Sequence, residues 1–505
     1  MGGDAFMNRD NDLKITNDAK CRFLPFNTKE VFEKIKEYDT LNEMWRDCVC
    51  EYSDDVAIIY DNKSYTFKEL DLDIKKFRGV LKKYNISKGD RIGIFIKNSY
   101  EFVKVMMAVT TYGAISIIIP PYFDNQAINE ITKLFNLKGI IYGKSIKQNT
   151  VLAQKMNLDL TIIDANLKGE MVQDCKSIKK EDSAVVLFTL GVVKEERSKG
   201  ALLSHGALMQ GVVNGFYGYK DVFSQKYLLT LPLHHAFGLI RGLLTPLASG
   251  SSVYIPKQAE LIYNDSQKYN PSIIVGVPDV VRIGLELAKN RGKHIFGNNL
   301  KLVVTGSAKI SEELIKGYND LGIPLVTGYG LTESAALVSG NPETLKKPDS
   351  VGMFFPNIEY KIVDGELFLK GKNMMDYYIG LDDGDTTYFI DGWFKTGDLV
   401  KIDEDGYLYI IGRVKNAMSL QTGENVDVKR LENIFKKIEY VKNIKIEERS
   451  DELGIHKLAI EIELDYDLIK DLNINRCKKV IMRKIEKINR DLYPHERIKL
   501  ILFKE

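Results

Sequence analysis

Cysteine is scarce, with five in 505 residues, at positions 21, 48, 50, 175 and 477. The number is odd and the spacing irregular. Cys48-x-Cys50 is too tight for a usual zinc pair and has no second pair to complete a site. Neither a disulfide framework nor a structural zinc centre is expected, which leaves free thiols of the kind kept reduced in the cytosol. An excess of one charge is also lacking. The 71 Lys and Arg against 69 Asp and Glu leave a net charge of +2, which argues against a dedicated nucleic-acid or membrane-surface protein. Long apolar runs are missing as well. The longest, near Val185–Val193 and Ala114–Pro121, fall far below the roughly 20 residues that span a bilayer. Residues 1–20 are polar and lack the apolar stretch of a secretory signal. The expectation is a soluble cytoplasmic protein with no membrane span. There are no internal repeats and no low-complexity tracts.

What is present is apolar content of 44%, enough for a large core, and at about 100–200 residues per domain a prior of two to four domains. Strand and helix signals alternate for most of the length. Val56–Tyr60 and Ser64–Phe67 read as strands, and Lys68–Lys83 has helical periodicity through Leu70, Ile74, Phe77 and Leu81. Lys88-Gly89-Asp90 turns into a strand at Arg91–Ile96. Asn98–Tyr112 reads as a helix, and the β-branched run Ala114–Ile119 is stopped by Pro120-Pro121. Further apolar strands are expected at Ala184–Thr189, Ser252–Ile255, Ser272–Val275, Leu300–Val304 and Leu325–Thr327. Apolar strands separated by helices predict parallel sheets covered on both faces. After about Gly365 the pattern changes to short strands and turns. Beyond Gly412 a compact unit reads helix (Val428–Lys437), two strands (Val441–Glu448, Lys457–Leu464), helix (Ile474–Leu492), strand (Arg497–Phe503).

Three blocks carry chemistry. In Thr327-Gly328-Tyr329-Gly330-Leu331-Thr332-Glu333-Ser334, glycines at the expected end of a strand let backbone approach a ligand. Thr332 offers a hydroxyl to a phosphate, and Glu333 a hard carboxylate suited to Mg²⁺. Alone, the segment reads equally as a glycine-rich turn and helix cap. Upstream, Val303-Val304-Thr305-Gly306-Ser307-Ala308 repeats the design, with small side chains that leave a slot for a flat base. Downstream, Asp398 ends Gly392-Trp393-Phe394-Lys395-Thr396-Gly397-Asp398, and Arg413 follows Gly412. A carboxylate can accept both hydroxyls of a ribose. Taken singly, each of these two reads more simply as a surface charge. Arg241 likewise reads as one end of a surface ion pair, or as a partner for a second substrate carboxylate.

Their ordered occurrence resembles the adenylate-forming superfamily: acyl- and aryl-CoA synthetases, adenylation domains of nonribosomal peptide synthetases, and luciferases. The resemblance runs from about residue 40 to 503. It includes Ser64-Tyr65-Thr66-Phe67-Lys68-Glu69-Leu70, Lys88-Gly89-Asp90-Arg91-Ile92, Leu231-Pro232-Leu233-His234-His235-Ala236-Phe237-Gly238, Gly365-Glu366-Leu367, Gly412-Arg413-Val414-Lys415 and Gly423-Glu424-Asn425. It implies an α/β fold: a large N-terminal domain of doubly wound sheets plus a small distorted barrel (36–412), then a small mobile α+β C-terminal domain (413–505) that rotates about Lys415, with a flexible segment at 1–35. It further implies that Gly306, Ser307, Ala308, Gly328, Tyr329 and Gly330 surround adenine. Thr189, Lys199 and Thr332 would meet phosphate, Glu333 would hold Mg²⁺, and Asp398 with Arg413 the ribose. His235, Phe237, Gly306, Gly330 and Leu331 would line the acid pocket, with His234 a packing neighbour. Gly423, Glu424 and Asn425 would enter the site for the thioester step. The implied reaction joins a small carboxylic acid to ATP as acyl-AMP, then passes the acyl group to CoA or to the phosphopantetheine of an acyl or peptidyl carrier protein.

The chain departs from the family pattern twice. The phosphate loop, expected near Thr-Ser-Gly-Thr-Thr-Gly-x-Pro-Lys-Gly, reads Thr189-Leu190-Gly191-Val192-Val193-Lys194-Glu195-Glu196-Arg197-Ser198-Lys199-Gly200. Valines replace hydroxyl donors, and Glu195-Glu196 would repel a polyphosphate unless they point away, an effect that Lys194, Arg197 and Lys199 would partly offset. The sequence also ends at Lys504-Glu505 with no counterpart of the family's C-terminal lysine, because Lys504 comes too early in the pattern. Three readings stay open on sequence: an ATP-dependent acid:thiol ligase, an enzyme that converts an acyl-adenylate made by a separate adenylating enzyme, and a non-catalytic relative that binds AMP or an acid.

Overall fold

A computed structural model describes residues 29–143, 161–189, 199–217, 222–257, 262–380, 388–414, 417–421, 424–450, 456–469 and 473–504. The phosphate loop between Leu190 and Ser198, the expected pivot Lys415, Gly423, and the expected mobile segment up to residue 28 lie outside them.

Local chemistry sets the first elements. Thr66 accepts a hydrogen bond from the Glu69 N–H, and the Glu69 carboxylate accepts one from the Thr66 N–H. This reciprocal cap starts the helix Phe67–Lys83 and ends the preceding strand at Lys63–Thr66, one residue short of the expected Phe67. Leu70, Ile74, Phe77 and Leu81 are all fully buried, as the period demands. Each contributes roughly 1.5–3 kcal/mol of apolar transfer. The next helix, Tyr100–Tyr112, begins at the Ser99 cap and ends at Gly113, whose φ of 96° suits glycine.

Among the described residues the strands form two large sheets in the larger of two compact units. The nine-stranded sheet runs Met353–Phe354, Ala336–Asn341, Leu325–Leu331, Leu302–Thr305, Ile273–Gly276, Lys226–Leu229, Ser252–Ile255, Val56–Tyr60, Lys63–Thr66. Its six central strands are parallel, and its outer pairs antiparallel. The seven-stranded sheet runs Tyr377–Ile379, Gly200–Ser204, Ser183–Phe188, Ile115–Ile118, Arg91–Phe95, Gly139–Tyr142, Thr161–Asp164. Buried parallel strands explain the unbroken apolar runs in the sequence. A five-stranded antiparallel sheet follows: Ile358–Val363, Glu366–Gly371, Trp393–Ile402, Phe389–Ile390 and Leu408–Arg413. The fold class is the expected mixed α/β one.

The unit boundary falls between Val414 and Lys415, with the short segments Val277–Val280 and Ser307–Lys309 grouped with the smaller unit. That unit has a three-stranded sheet of Val441–Ser450, His456–Leu464 and Leu500–Phe503, with the helices Val428–Phe435 and Ile474–Asp491. Its core gathers Leu431, Phe435, Ile460, Ile462, Ile481 and Ile485.

One buried titratable group gives the large unit a pH sensitivity. His205 opens the helix His205–Asn214 and is fully buried. Its Nδ1 accepts the Leu41 N–H at 3.3 Å, so the ring is neutral. Burial lowers its pKa to about 4. The unfolded ring takes a proton near 6.5, so the stability is complete above that value. It is lost as pH falls from 6.5 through 4, to a total of about 3 kcal/mol. Thermal melts between pH 7 and pH 4.5 should show a decline that is shallower in His205→Gln. Equal slopes would remove this role.

Candidate functional site

The strand that carries the glycine-rich block is longer than expected. It continues from Leu325 to Leu331 and pairs with Ala336–Asn341, Gly328 opposite Gly340 and Gly330 opposite Leu337. The glycines therefore sit inside a ladder and do not end it. A Cβ at Gly330 would lie 1.6 Å from the Ala336 carbonyl oxygen, and one at Gly328 2.6 Å from that of Ser339. The neighbouring strand requires both glycines.

Past Leu331 the chain turns tightly through Thr332–Ser334. Ala335 and Ala336 then adopt φ of 46° and 75°, left-handed conformations that cost an alanine roughly 1–2 kcal/mol each. Hydrogen bonds hold the turn in place. The Leu331 N–H donates to Ser334 Oγ at 3.0 Å, and Asn373 Nδ2 donates to the Ser334 carbonyl at 2.7 Å. The Met375 N–H donates to the Glu333 carbonyl at 2.7 Å. The side chain of Glu333 is thus presented from a strained, over-determined loop.

Around Glu333 lies a cluster the sequence did not announce. The Tyr378 hydroxyl donates to Glu333 Oε1. The strand Tyr377–Ile379 pairs with Gly200–Ser204, Tyr378 opposite Ala201, which brings Tyr378 beside Lys199. The Lys199 ammonium sits 4.1 Å from the Tyr378 ring centre and 4.4 Å from that of Tyr388. The two rings meet edge to face, 4.9 Å apart at 74°. Burial, and next the Glu333 charge, push the Tyr378 phenol far above its ordinary pKa, so it remains a donor. Thr189 is buried, and its N–H donates to the Lys199 carbonyl at 3.3 Å. Among the described residues its hydroxyl has no partner.

A second cluster surrounds Asp398, which is 1% exposed and is not the surface charge that its position alone would suggest. The Tyr329 hydroxyl donates to Oδ2 at 2.5 Å and Arg413 Nε to Oδ1 at 2.6 Å. Asp398 and Arg413 face each other across paired strands. Burial, then the Asp398 charge, raises the Tyr329 pKa well above its usual value. A third grouping is apolar. A Cβ at Gly306 would lie 3.5 Å from both the Gly328 carbonyl oxygen and the Phe237 ring. Phe237 begins the π-helix Phe237–Leu244, just after His234 and His235, whose rings lie 4.3 Å apart. Arg241, on that helix, is 4% exposed and lies 5.7 Å over the Tyr227 ring, so the surface ion pair read from sequence is replaced by a buried cation–π contact.

The strand and turn from Leu325 to Ser334 tie the three groupings together: Gly328 at Gly306, Tyr329 at Asp398 and Arg413, Glu333 at Tyr378. Leu331 packs beside the buried cluster that holds Tyr329. Ser307, with φ 73°, and Ala308 follow the strand Leu302–Thr305. In the smaller unit Ala417–Ser419 pairs with Asn425–Asp427, and the Leu420 N–H donates to the Glu424 carbonyl at 2.7 Å. Sequence reasoning missed Tyr378 and Tyr388. The only trace was the Tyr377-Tyr378 doublet, in a strand too short to show a period.

Comparison with known proteins adds an independent line. The family model described as "AMP-binding enzyme" matches residues 45–379. Among curated relatives, 4-coumarate–CoA ligase 3 of Arabidopsis thaliana is 26% identical over 473 residues, covering 84% of this chain and 83% of that protein. The 2-succinylbenzoate–CoA ligase of Oceanobacillus iheyensis is 25% identical, covering 75% and 80%. Among solved structures, an o-succinylbenzoate CoA synthetase of Bacillus subtilis superposes with a TM-score of 0.73 at 19% identity, covering 92% of this chain and 94% of that one. A fatty acyl CoA synthetase of Mycobacterium tuberculosis gives 0.68 at 20%, covering 92% and 94%. These two share the fold.

Proposed function

Because the chain belongs to the AMP-binding enzyme family, we propose that it is an AMP-forming ligase of the acyl- or aryl-CoA synthetase kind. The observation that carries this reading is the single segment Leu325–Ser334, which places Tyr329 on the Asp398–Arg413 pair and Glu333 on the Tyr378–Lys199 pair. In the first half-reaction an oxygen of the acid attacks the α-phosphorus of ATP, the bond to the leaving oxygen breaks, and pyrophosphate departs. In the second a thiolate attacks the acyl carbon and AMP leaves. CoA is the acceptor that the relatives' names favour; a carrier protein's phosphopantetheine presents the same thiol.

The residues take roles accordingly. Asp398 accepts ribose hydroxyls on lone pairs left over from Tyr329 and Arg413, since each carboxylate oxygen has two. The Tyr329 ring and the Gly306–Ala308 segment bracket adenine. Thr189 offers its hydroxyl, and Lys199 and Thr332 their donors, to the phosphates. His235 lies beside the acid's carboxylate, with Phe237, Gly306, Gly330 and Leu331 around the pocket. Gly423, Glu424 and Asn425 are assigned to the thioester step, and Lys415 to the hinge.

Mg²⁺ fits the donor set. It commonly binds through one or two carboxylates plus phosphate and water oxygens. Glu333 engages Tyr378 through Oε1, while Oε2 takes no hydrogen bond from the described residues. Those residues contain no cluster of three or more His, Cys, Asp or Glu to form an all-protein cage. When bound, the ion offsets phosphate charge. Solved relatives of Bacillus subtilis are described in complex with ATP and magnesium, and with an acyl-adenylate.

The test is acid-dependent ATP–pyrophosphate exchange, assayed beside thioester formation from synthetic acyl-AMPs with CoA. Both activities are expected. Thioester formation without exchange would confine the protein to the second half-reaction. Absence of both, with no rise in melting temperature from ATP or acyl-AMP, would overturn the reading, because a ligand that binds only the native state stabilises it.

A further inference from the structure

Lys199 and Glu333 both contact Tyr378, yet no ion pair joins them among the described residues. With Lys199 read as a phosphate ligand and Glu333 as a metal ligand, a direct pair would occupy both groups and would have to break before binding. Tyr378 prevents this in two ways. Its hydroxyl satisfies one Glu333 oxygen with a neutral donor, and its ring face attracts the ammonium. Tyr388 adds a second ring beside the first, 4.4 Å from the same nitrogen. The edge-to-face contact of the two rings braces the pocket. The main chain reinforces it, since the strand Tyr377–Ile379 is hydrogen-bonded to the strand that begins right after Lys199. The unpartnered Thr189 hydroxyl, next to the same backbone, marks a place where an acceptor is wanted.

We propose that Tyr378 and Tyr388 are positioning residues that form a two-ring corner, storing the Lys199 ammonium apart from Glu333 so that the ammonium stays available to a polyphosphate and the carboxylate to the cation that accompanies it. The proposal rests on the reading of Lys199 as a phosphate ligand. It adds that the tyrosines, which bear no charge and make no bond to the reacting atoms, set how tightly phosphate binds.

The experiment uses inorganic tripolyphosphate and ATP as probes in the full-length protein, with affinity measured by titration calorimetry in EDTA. This readout needs no turnover. Tyr388→Leu should weaken binding about fivefold to tenfold, the size of one cation–π contact. Tyr388→Phe, which keeps the ring, should bind as the native protein does. In a Glu333→Gln background the carboxylate that would capture Lys199 is gone, so adding Tyr388→Leu should cost less than about twofold. Three outcomes overturn the proposal: Tyr388→Leu binding as tightly as native, Tyr388→Phe behaving like Tyr388→Leu, or an equal loss in both backgrounds. Native protein that binds neither probe also overturns it. Failure of the ligase reading shows separately, as absent exchange and absent thioester formation in unmodified protein.

Discussion

Glu333→Gln should fold normally and lose ATP–pyrophosphate exchange by about 10²–10³-fold, the usual cost of removing one electrostatic group aimed at a transition state. The amide oxygen of glutamine can still accept the Tyr378 hydroxyl, so the turn Thr332–Ser334 keeps its anchor. What disappears is the negative charge and the hard oxygen proposed to hold the metal ion. Excess Mg²⁺ should not restore the rate. Thioester formation from a synthetic acyl-AMP, which needs no pyrophosphate-bound ion, should fall only several-fold. Exchange within threefold of native would remove Glu333 from the metal site.

Gly330→Ala should be the most damaging single substitution of those considered. Its new Cβ would stand 1.6 Å from the Ala336 carbonyl oxygen. That atom belongs to backbone and cannot swing aside, so the ladder between Leu325–Leu331 and Ala336–Asn341 must part. Overpacking by one methyl group usually costs about 1–3 kcal/mol. A clash with a paired strand beside two left-handed alanines should exceed about 4 kcal/mol. Gly412→Ala is the control, because its Cβ would meet Leu399 at an ordinary 3.8 Å. The first should give insoluble protein or a melting point many degrees lower, and the second a melt within a degree or two of native. A well-folded Gly330→Ala would show that this ladder opens.

Much of the fold was legible because its signals are local. The cap at Thr66 and Glu69, the period through Leu70, Ile74, Phe77 and Leu81, and the apolar runs of the parallel strands all act over a few residues. The errors were non-local. Gly328 and Gly330 read as the end of a strand, since sequence does not reveal the neighbour at Ala336 and Ser339 that makes them necessary. The π-helix Phe237–Leu244 left no period to detect, and Arg241 looked exposed because arginine usually is. At the site, Glu333, Asp398 and Arg413 stood out as charges beside glycines. Tyr378 and Tyr388 did not, because a tyrosine in or beside a short strand reads as filler until the strand across the ladder is known to begin right after Lys199.

The hydrogen bond from Tyr378 to Glu333 has a mechanical side. Tyr378 belongs to the outermost strand of one sheet, and Glu333 leaves the end of a strand in the other. The bond is a rivet between two plates, and a ligand that seizes the same carboxylate adds a second fastener at that seam. Loosening one plate must then work against the other, so an occupied site stiffens stretches of chain that lie far apart in sequence.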